Sequence, residues 1–436
     1  MVVLMVIEKM KGIDVLGLFN NRSIHNFIFL SAIQISNILI TLISMPLLIS
    51  AIGVDQFGLV SLSFSVMVIA NIFVSFGFNL SGPRAVALNQ QNPKRLSFLL
   101  SHILGGKVLL ASVATGVLLV LIFGFGFFTE YQTILALSVL LLYSEATLPL
   151  WFFQGLEKMR LISIANVVSK VLYLMGIFLF IKDPSHAKWA NFILGACGLS
   201  INLLVLAYVR KRLGIVLIGP RILRIFRSLK SNVHYFLSNL TSYLTFNGGL
   251  VILSFFEQSH TLGMYSLAEK IVMVIRLFPS ILTQSVYPNA SKLYQADKST
   301  FLRFMRKVYF SGLAISFFFS VATYLAAPLI IQLLATSRLE DSIYYLRLLS
   351  LIPFLACLNI GNVLIFLVTN QQKQLFKVSA FMCVFMMVSA SLLTYRFGAV
   401  GICVALLSTE LLHFLGFSWM VARKNPDLWR GFYLAA

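Results

Sequence analysis

Long apolar runs separated by short polar connections dominate this chain, and twelve of them are long enough to be helices crossing a hydrocarbon core, which takes about 20 residues. They fall at 24–50, 57–79, 98–123, 131–155, 161–181 and 189–209, then at 233–256, 267–287, 308–325, 344–369, 376–395 and 400–421. Backbone polar groups inside lipid must be satisfied within the segment, which a helix does by itself. The pattern therefore predicts an all-α polytopic membrane protein.

Composition strengthens that reading. Of 436 residues, 59% are apolar and 11% charged, against about 45–50% and about 25% for soluble domains. The net charge of +20 could suggest nucleic acid, but the Lys and Arg fall in short clusters between apolar runs instead of along one basic surface, so no nucleic-acid partner is expected. Their distribution sets the orientation, because positively charged loops stay cytoplasmic. With the N-terminus inside, and Lys377 at the edge of its span counted with the adjoining loop, the cytoplasmic segments hold 25 basic residues and the external loops 4. Both termini are thus expected in the cytosol. The first seven residues are apolar but too short for a signal-peptide core, so this end is expected to be retained. Cys197, Cys357, Cys383 and Cys403 lie within spans without metal-type spacing and read as packing residues; no metal or cofactor is expected.

The most basic connection, 210–232, separates two halves. Its Ile222, Ile225, Phe226 and Leu229 share one helical face, and Arg221, Arg224, Arg227 and Lys230 occupy the other. This predicts a helix lying on the anionic inner leaflet among membrane lipids, a solvated linker being the other reading. The chain accordingly divides into a six-helix lobe at 1–209, the linker, and a six-helix lobe at 233–436. A shift of 205 residues places Gly58, Ser61 and Leu62 on Gly263, Ser266 and Leu267, and Pro83, Ala85, Leu88 and Gln90 on Pro288, Ala290, Leu293 and Gln295. Six spans per half keep the halves in the same orientation, which makes the repeat parallel and puts a substrate site between its copies.

Polar groups mark where such a site would be. Gln34, Asn37, Thr41 and Ser44 form a stripe on the first span; Tyr235, Ser238, Ser242, Thr245 and Gly249 form another on the seventh, with Asn239 at its edge. The shift matches Gln34 to Asn239 and Asn37 to Ser242, so both helices are expected to face a wet cavity. Glu269, Arg276, Ser280, Thr283, Gln284 and Tyr287 line about a third of the eighth helix. That stripe reads as a pathway wall or as hydrogen bonding between helices. Charged groups inside spans carry a penalty of about 2.5–3.5 kcal/mol each and tend to face a cavity or a partner. The cations are Lys107, Lys170, Lys270, Arg276 and Arg347, and the acids Glu145, Glu269 and Glu410. Lys170 and Arg276 are the most central; Lys107 and Arg347 have a reach toward the interfaces. The cation excess leaves room for an anion from outside, and pairs such as Glu145 with Lys170 are the alternative. Glu145, Glu269, Glu410 and His413 are the candidates for ion or proton coupling, a simple polar contact being the other reading of Glu410 with His413. Pro46, Pro149, Pro279 and Pro353 are candidate hinges.

Trp151-Phe-Phe-Gln-Gly-Leu-Glu-Lys-Met-Arg160 resembles the signature loop of O-antigen and capsular polysaccharide flippases of the Wzx type. Phe76-Gly-Phe-Asn79, Arg84-Ala-Val-Ala87 and Tyr265-Ser-Leu-Ala-Glu-Lys270 resemble further stretches of that family. The resemblance implies the multidrug/oligosaccharidyl-lipid/polysaccharide (MOP) exporter fold, MATE-like, with two six-helix bundles whose central cavity opens alternately to each side of the bacterial inner membrane. It also implies an undecaprenyl-diphosphate-linked oligosaccharide as substrate, with polysaccharide polymerase machinery as a further partner. The phosphate-site candidates are Arg276 first and Lys170 second; Lys107, Lys270, Gln34, Asn37, Asn239, Ser242, Thr283 and Gln284 are further candidates for lining the substrate cavity. A cation-coupled multidrug exporter of the same fold is the first rival, and a membrane glycosyltransferase or polymerase the second. No nucleotide loop, zinc motif or nucleophile with its base supports an enzyme.

Overall fold

The computed structural model describes residues 22–126, 129–219, 222–335 and 339–433. The N-terminal segment at 1–21, expected to be retained, and Arg221 of the basic linker lie outside them. The first helix, α1 (Arg22–Ser75), has 54 residues and is broken at Gly53, whose φ of 79° is open to glycine without a side-chain penalty. After a turn at Phe76 and Gly77 come α2 (Phe78–Ala87) and α3 (Pro93–Leu119). Asn92 caps α3 by accepting from the Arg95 N–H, beside a proline at the helix start. The fourth apolar run is three pieces, α4 (Gln132–Ser138), α5 (Leu140–Thr147) and α6 (Leu150–Gly155). Pro149 has no N–H to give, and the expected hinge lies at the junction of α5 and α6. Carbonyl oxygens freed there find partners: the Ser144 oxygen accepts from Asn202 at 2.8 Å and from Thr147. α7 (Met159–Phe180) and α8 (Trp189–Leu213) follow.

Next come α9 (Ile222–Asn247), α10 (Gly249–Leu253), α11 (Ser259–Ala296) and α12 (Lys298–Ala335). Asp297 caps α12; hydrogen bonds from Thr300 and Ser299 hold its carboxyl well below the usual carboxylate range. The tenth run is again in pieces, α13 (Glu340–Leu349), α14 (Ile352–Leu358) and α15 (Ile360–Val368), with Pro353 in the first turn of α14. α16 (Gln372–Lys424) breaks at Gly398, and α17 (Pro426–Tyr433) closes the described chain.

The amphipathic linker differs from expectation. It forms no separate helix, because Ile222–Lys230 are the opening turns of α9 and run straight into the polar-striped segment beyond. Ile225 is buried, whereas Ile222, Leu223 and Phe226 are exposed. Eight helices among the described residues, not twelve, are long and apolar enough to cross a membrane. Two reasons account for the difference. Ala32–Ala87 and Gln372–Lys424 each hold two of the expected runs, and α9 and α11 are diluted by their polar stripes.

The described chain folds as two compact units. One contains residues up to 43 with 70–181 and 188–236; the other contains 44–69, 182–187 and 237–436. The core of the first gathers Phe78, Val86, Leu100, Trp151, Phe152 and Val205. That of the second gathers Phe301, Tyr309, Leu364, Phe366, Phe417 and Phe432. The four cysteines are free, and all but Cys197 are buried.

Candidate functional site

In the first unit, Lys107 is wholly buried and bonds Glu145 at 3.2 Å, so it does not reach toward an interface and Glu145 is not the partner of Lys170. The same Glu145 oxygen accepts from Ser75 at 3.0 Å and Asn79 at 3.5 Å. This cluster bridges the end of α1, the start of α2, α3 and α5. Three donors and an acceptor meeting where two helices break describe a brace; a buried charge pair held in such a network is satisfied by the protein itself.

Lys170 is different. It lies on the inward arc of α7 with Ser163, Asn166 and Tyr173, opposite the exposed Ile164, Val168 and Met175. Its half-buried side chain makes no ion pair or hydrogen bond with the described residues. One turn earlier, the buried Asn166 amide oxygen also lacks a partner.

In the second unit, Arg276 of α11 donates through Nε to Glu410 Oε1 at 2.9 Å and through Nη2 to the same oxygen. Its guanidinium carbon stands 3.6 Å from the centre of the Phe246 ring. Thr245, Met273, Leu406 and Thr409 complete a small pocket around the pair. His413, one turn after Glu410, packs against Phe246 and Phe417 instead of the carboxylate, and its Nδ1 is buried without a partner. Glu269 is buried and accepts from the Tyr265 hydroxyl at 3.2 Å, with no cation in ion-pair range among the described residues. Lys270 turns the other way, donating to Ser61 at 2.7 Å and standing 4.5 Å from the centre of the Phe57 ring. Arg347 sits over Tyr324.

Among the uncharged candidates Gln34, Asn239, Ser242 and Gln284 are exposed, and Asn37 and Thr283 half-buried. Thr283 bonds back to the Pro279 carbonyl and Gln284 to Ser280 on the same helix. The described residues include no group of three metal-ligating side chains.

Two features were out of reach of helical patterns. The Arg276–Glu410 pair joins residues 134 positions apart, and the signature stretches pack on one another. Trp151 of α6 lies where a Cβ on Gly82 of α2 would meet its ring at 2.8 Å, and Gln90 donates to the Gly155 carbonyl at 2.8 Å. Small residues at these places were the only signal available.

The fold is that of MOP-superfamily transporters. An inward-facing multidrug MATE transporter of that superfamily superposes with a TM-score of 0.70 at 14% identity, over 94% of this chain and all of the other. Two bacterial proteins named as O-antigen transporters are similar in sequence. That of Escherichia coli (strain K12) is 24% identical over 89% of this chain and 94% of its own length, and that of Shigella dysenteriae 26% identical over 89% and 97%. Transporters, not enzymes, are what it resembles in structure. With the polysaccharide biosynthesis protein model matching residues 23–294, well over half its length, the chain belongs to that family of multi-pass membrane proteins.

Proposed function

We propose that this protein is a flippase that moves an undecaprenyl-diphosphate-linked oligosaccharide repeat unit from the cytoplasmic to the periplasmic leaflet of a bacterial inner membrane, by alternating access. Family membership and the named relatives favour a glycan-lipid cargo. The observation that carries the reading is Lys170, a cation on the inward face of a membrane helix with no acid beside it among the described residues. An ammonium in apolar surroundings carries a desolvation penalty that only an anion can offset. A diphosphate would supply that charge, and the Asn166 side-chain N–H one turn away would donate a hydrogen bond to it, its amide oxygen being left to accept from a sugar hydroxyl. Arg276, already held by Glu410 and Phe246, is the second phosphate candidate. Glu269, a buried acid without an ion-pair partner, is the candidate for coupling to a proton or cation.

The reading takes the chain as twelve spans in two six-helix lobes. Of the eight long apolar helices, Ala32–Ala87 and Gln372–Lys424 each cross twice, since a straight helix of more than 50 residues would exceed 75 Å against a core of about 30 Å. The polar α9 and α11 bring the total to twelve.

The test is surface-polysaccharide display in a strain lacking its own flippase. The intact protein should restore display, Lys170→Arg should keep much of it, and Lys170→Ala should lose most of it at normal membrane abundance. Full display with Lys170→Ala would remove Lys170 from the site, and no display with the intact protein would sink the flippase reading.

A further inference from the structure

Within the second unit, two helical segments cross at their repeat-equivalent glycines. Gly58 lies on α1 after its break and Gly263 in the first turns of α11, 205 positions later. A Cβ built on Gly58 would stand 2.5 Å from the Gly263 nitrogen and 2.6 Å from the Ser259 carbonyl, both main-chain atoms that cannot swing aside. One built on Gly263 would run into the carbonyl of Val54. Only glycine lets the two backbones approach so closely. The flanking equivalents are buried as well: Ser61 with Ser266, and Leu62 with Leu267.

Residues at the repeat spacing can touch their own counterparts only on the axis that relates the two copies, as in a two-fold interface. Asp55 and His260 obey the same spacing and meet at 2.5 Å, and both are more than half exposed. Lys270 reaches across to Ser61 and Phe57 from the other side of the crossing. The hairpin 44–69 belongs by sequence to the first half, yet it folds with the second.

We infer that this crossing is the periplasmic gate of the transport path, closed by the Gly58–Gly263 contact and held in register by Asp55 with His260 and Lys270 with Ser61. The inference rests on the flippase reading and on the charge-derived topology, which puts the connections holding Asp55 and His260 outside. Apolar contact between small residues separates without leaving buried charge behind, which suits a surface that must open in every cycle. An exposed contact between a carboxylate and an imidazole holds only weakly, so Asp55 and His260 align the helices without locking them. Opening toward the periplasm would part the two segments, and closing would bring the glycines back into contact.

A bridge that the cell can neither open nor stretch tests this. Asp55→Cys with His260→Cys, joined in intact cells by a short, membrane-impermeant bis-methanethiosulfonate, should stop polysaccharide display. The drop should be roughly tenfold or more, because every cycle passes through the gate. Reducing the bridge should restore display, and each single-cysteine variant should be insensitive to the reagent. If the bridged protein displays polysaccharide at the unbridged level, the crossing is not a gate. If the thiols react only in inverted vesicles, it is not periplasmic and the inference fails on topology. Loss of display in the intact, unmodified protein's own complementation would instead indict the flippase reading. Gly58→Val gives a second measure: it should raise the labelling of a cysteine at Ser61 from outside at normal membrane abundance, and unchanged labelling counts against the gate.

Discussion

A guanidinium held by one carboxylate oxygen and stacked on a phenyl ring is a satisfied charge, and Arg276 is in that state. Removing one member of a buried pair leaves the other uncompensated, at a penalty of about 3–5 kcal/mol. Arg276→Ala should therefore lower the melting temperature in detergent, and Arg276→Met with Glu410→Leu should recover most of the loss. If Arg276→Ala melts like the parent, Glu410 does not depend on it and Arg276 is free for substrate. Lys170 predicts the reverse. It has no partner to strand among the described residues, so Lys170→Met should melt at or above the parent temperature while display falls. A pronounced fall in melting temperature would show a structural partner for Lys170. The membrane charges themselves were legible in the sequence, because an ionisable residue amid an apolar run stands out whatever the fold. Their pairing was not: Lys107 and Glu145, or Arg276 and Glu410, come together only through tertiary packing, and helical spacing reports neighbours on one helix alone.

Helix breaks followed a similar division. Pro149 marked its helix break in advance since proline removes a main-chain donor, whereas Pro46 and Pro279 lie within helices that run on through them, and the breaks at Gly53 and Gly398 needed the positive φ to be seen. Apolar periodicity also suggested a separate interfacial helix where the backbone runs on without interruption into α9, because amphipathicity is silent about where a helix ends. The signature stretches recognised in the sequence turn out to form a packed joint between α2 and α6. A Cβ on Gly155 would stand 2.6 Å from the Pro83 carbonyl and as close to Val86. Gly155→Val should thus cost about 1–3 kcal/mol by overpacking, read as lower membrane abundance and melting temperature. Gln90→Ala, which removes only the hydrogen bond to the Gly155 carbonyl, should have a smaller effect. Equal loss in both would place the joint's stability in that hydrogen bond and not in the close glycine contact.

At the scale of the whole molecule, charge sets orientation: 25 basic residues lie in connections assigned to the cytosol against 4 outside. Anionic lipid and the membrane potential both favour that side for Lys and Arg. The basic start of α9 is tied to α3, since His102 and Ser228 are hydrogen-bonded at 2.9 Å, so those two segments must share a side. The charge-derived topology puts the connection holding Ser185 on the opposite side, and Ser185 is exposed beside Asp183. A cysteine at Ser231, exposed on the same turn of α9 as Ser228, should react with an impermeant thiol reagent in inverted vesicles and not in intact cells. A cysteine at Ser185 should show the opposite pattern. Reaction of both from the same side would mean an odd number of crossings is missing or added between 185 and 231, which would break the twelve-span count and the parallel repeat with it. Reaction of each from the unexpected side would invert the protein in the membrane, and the gate at Gly58 and Gly263 would then close on the cytosol.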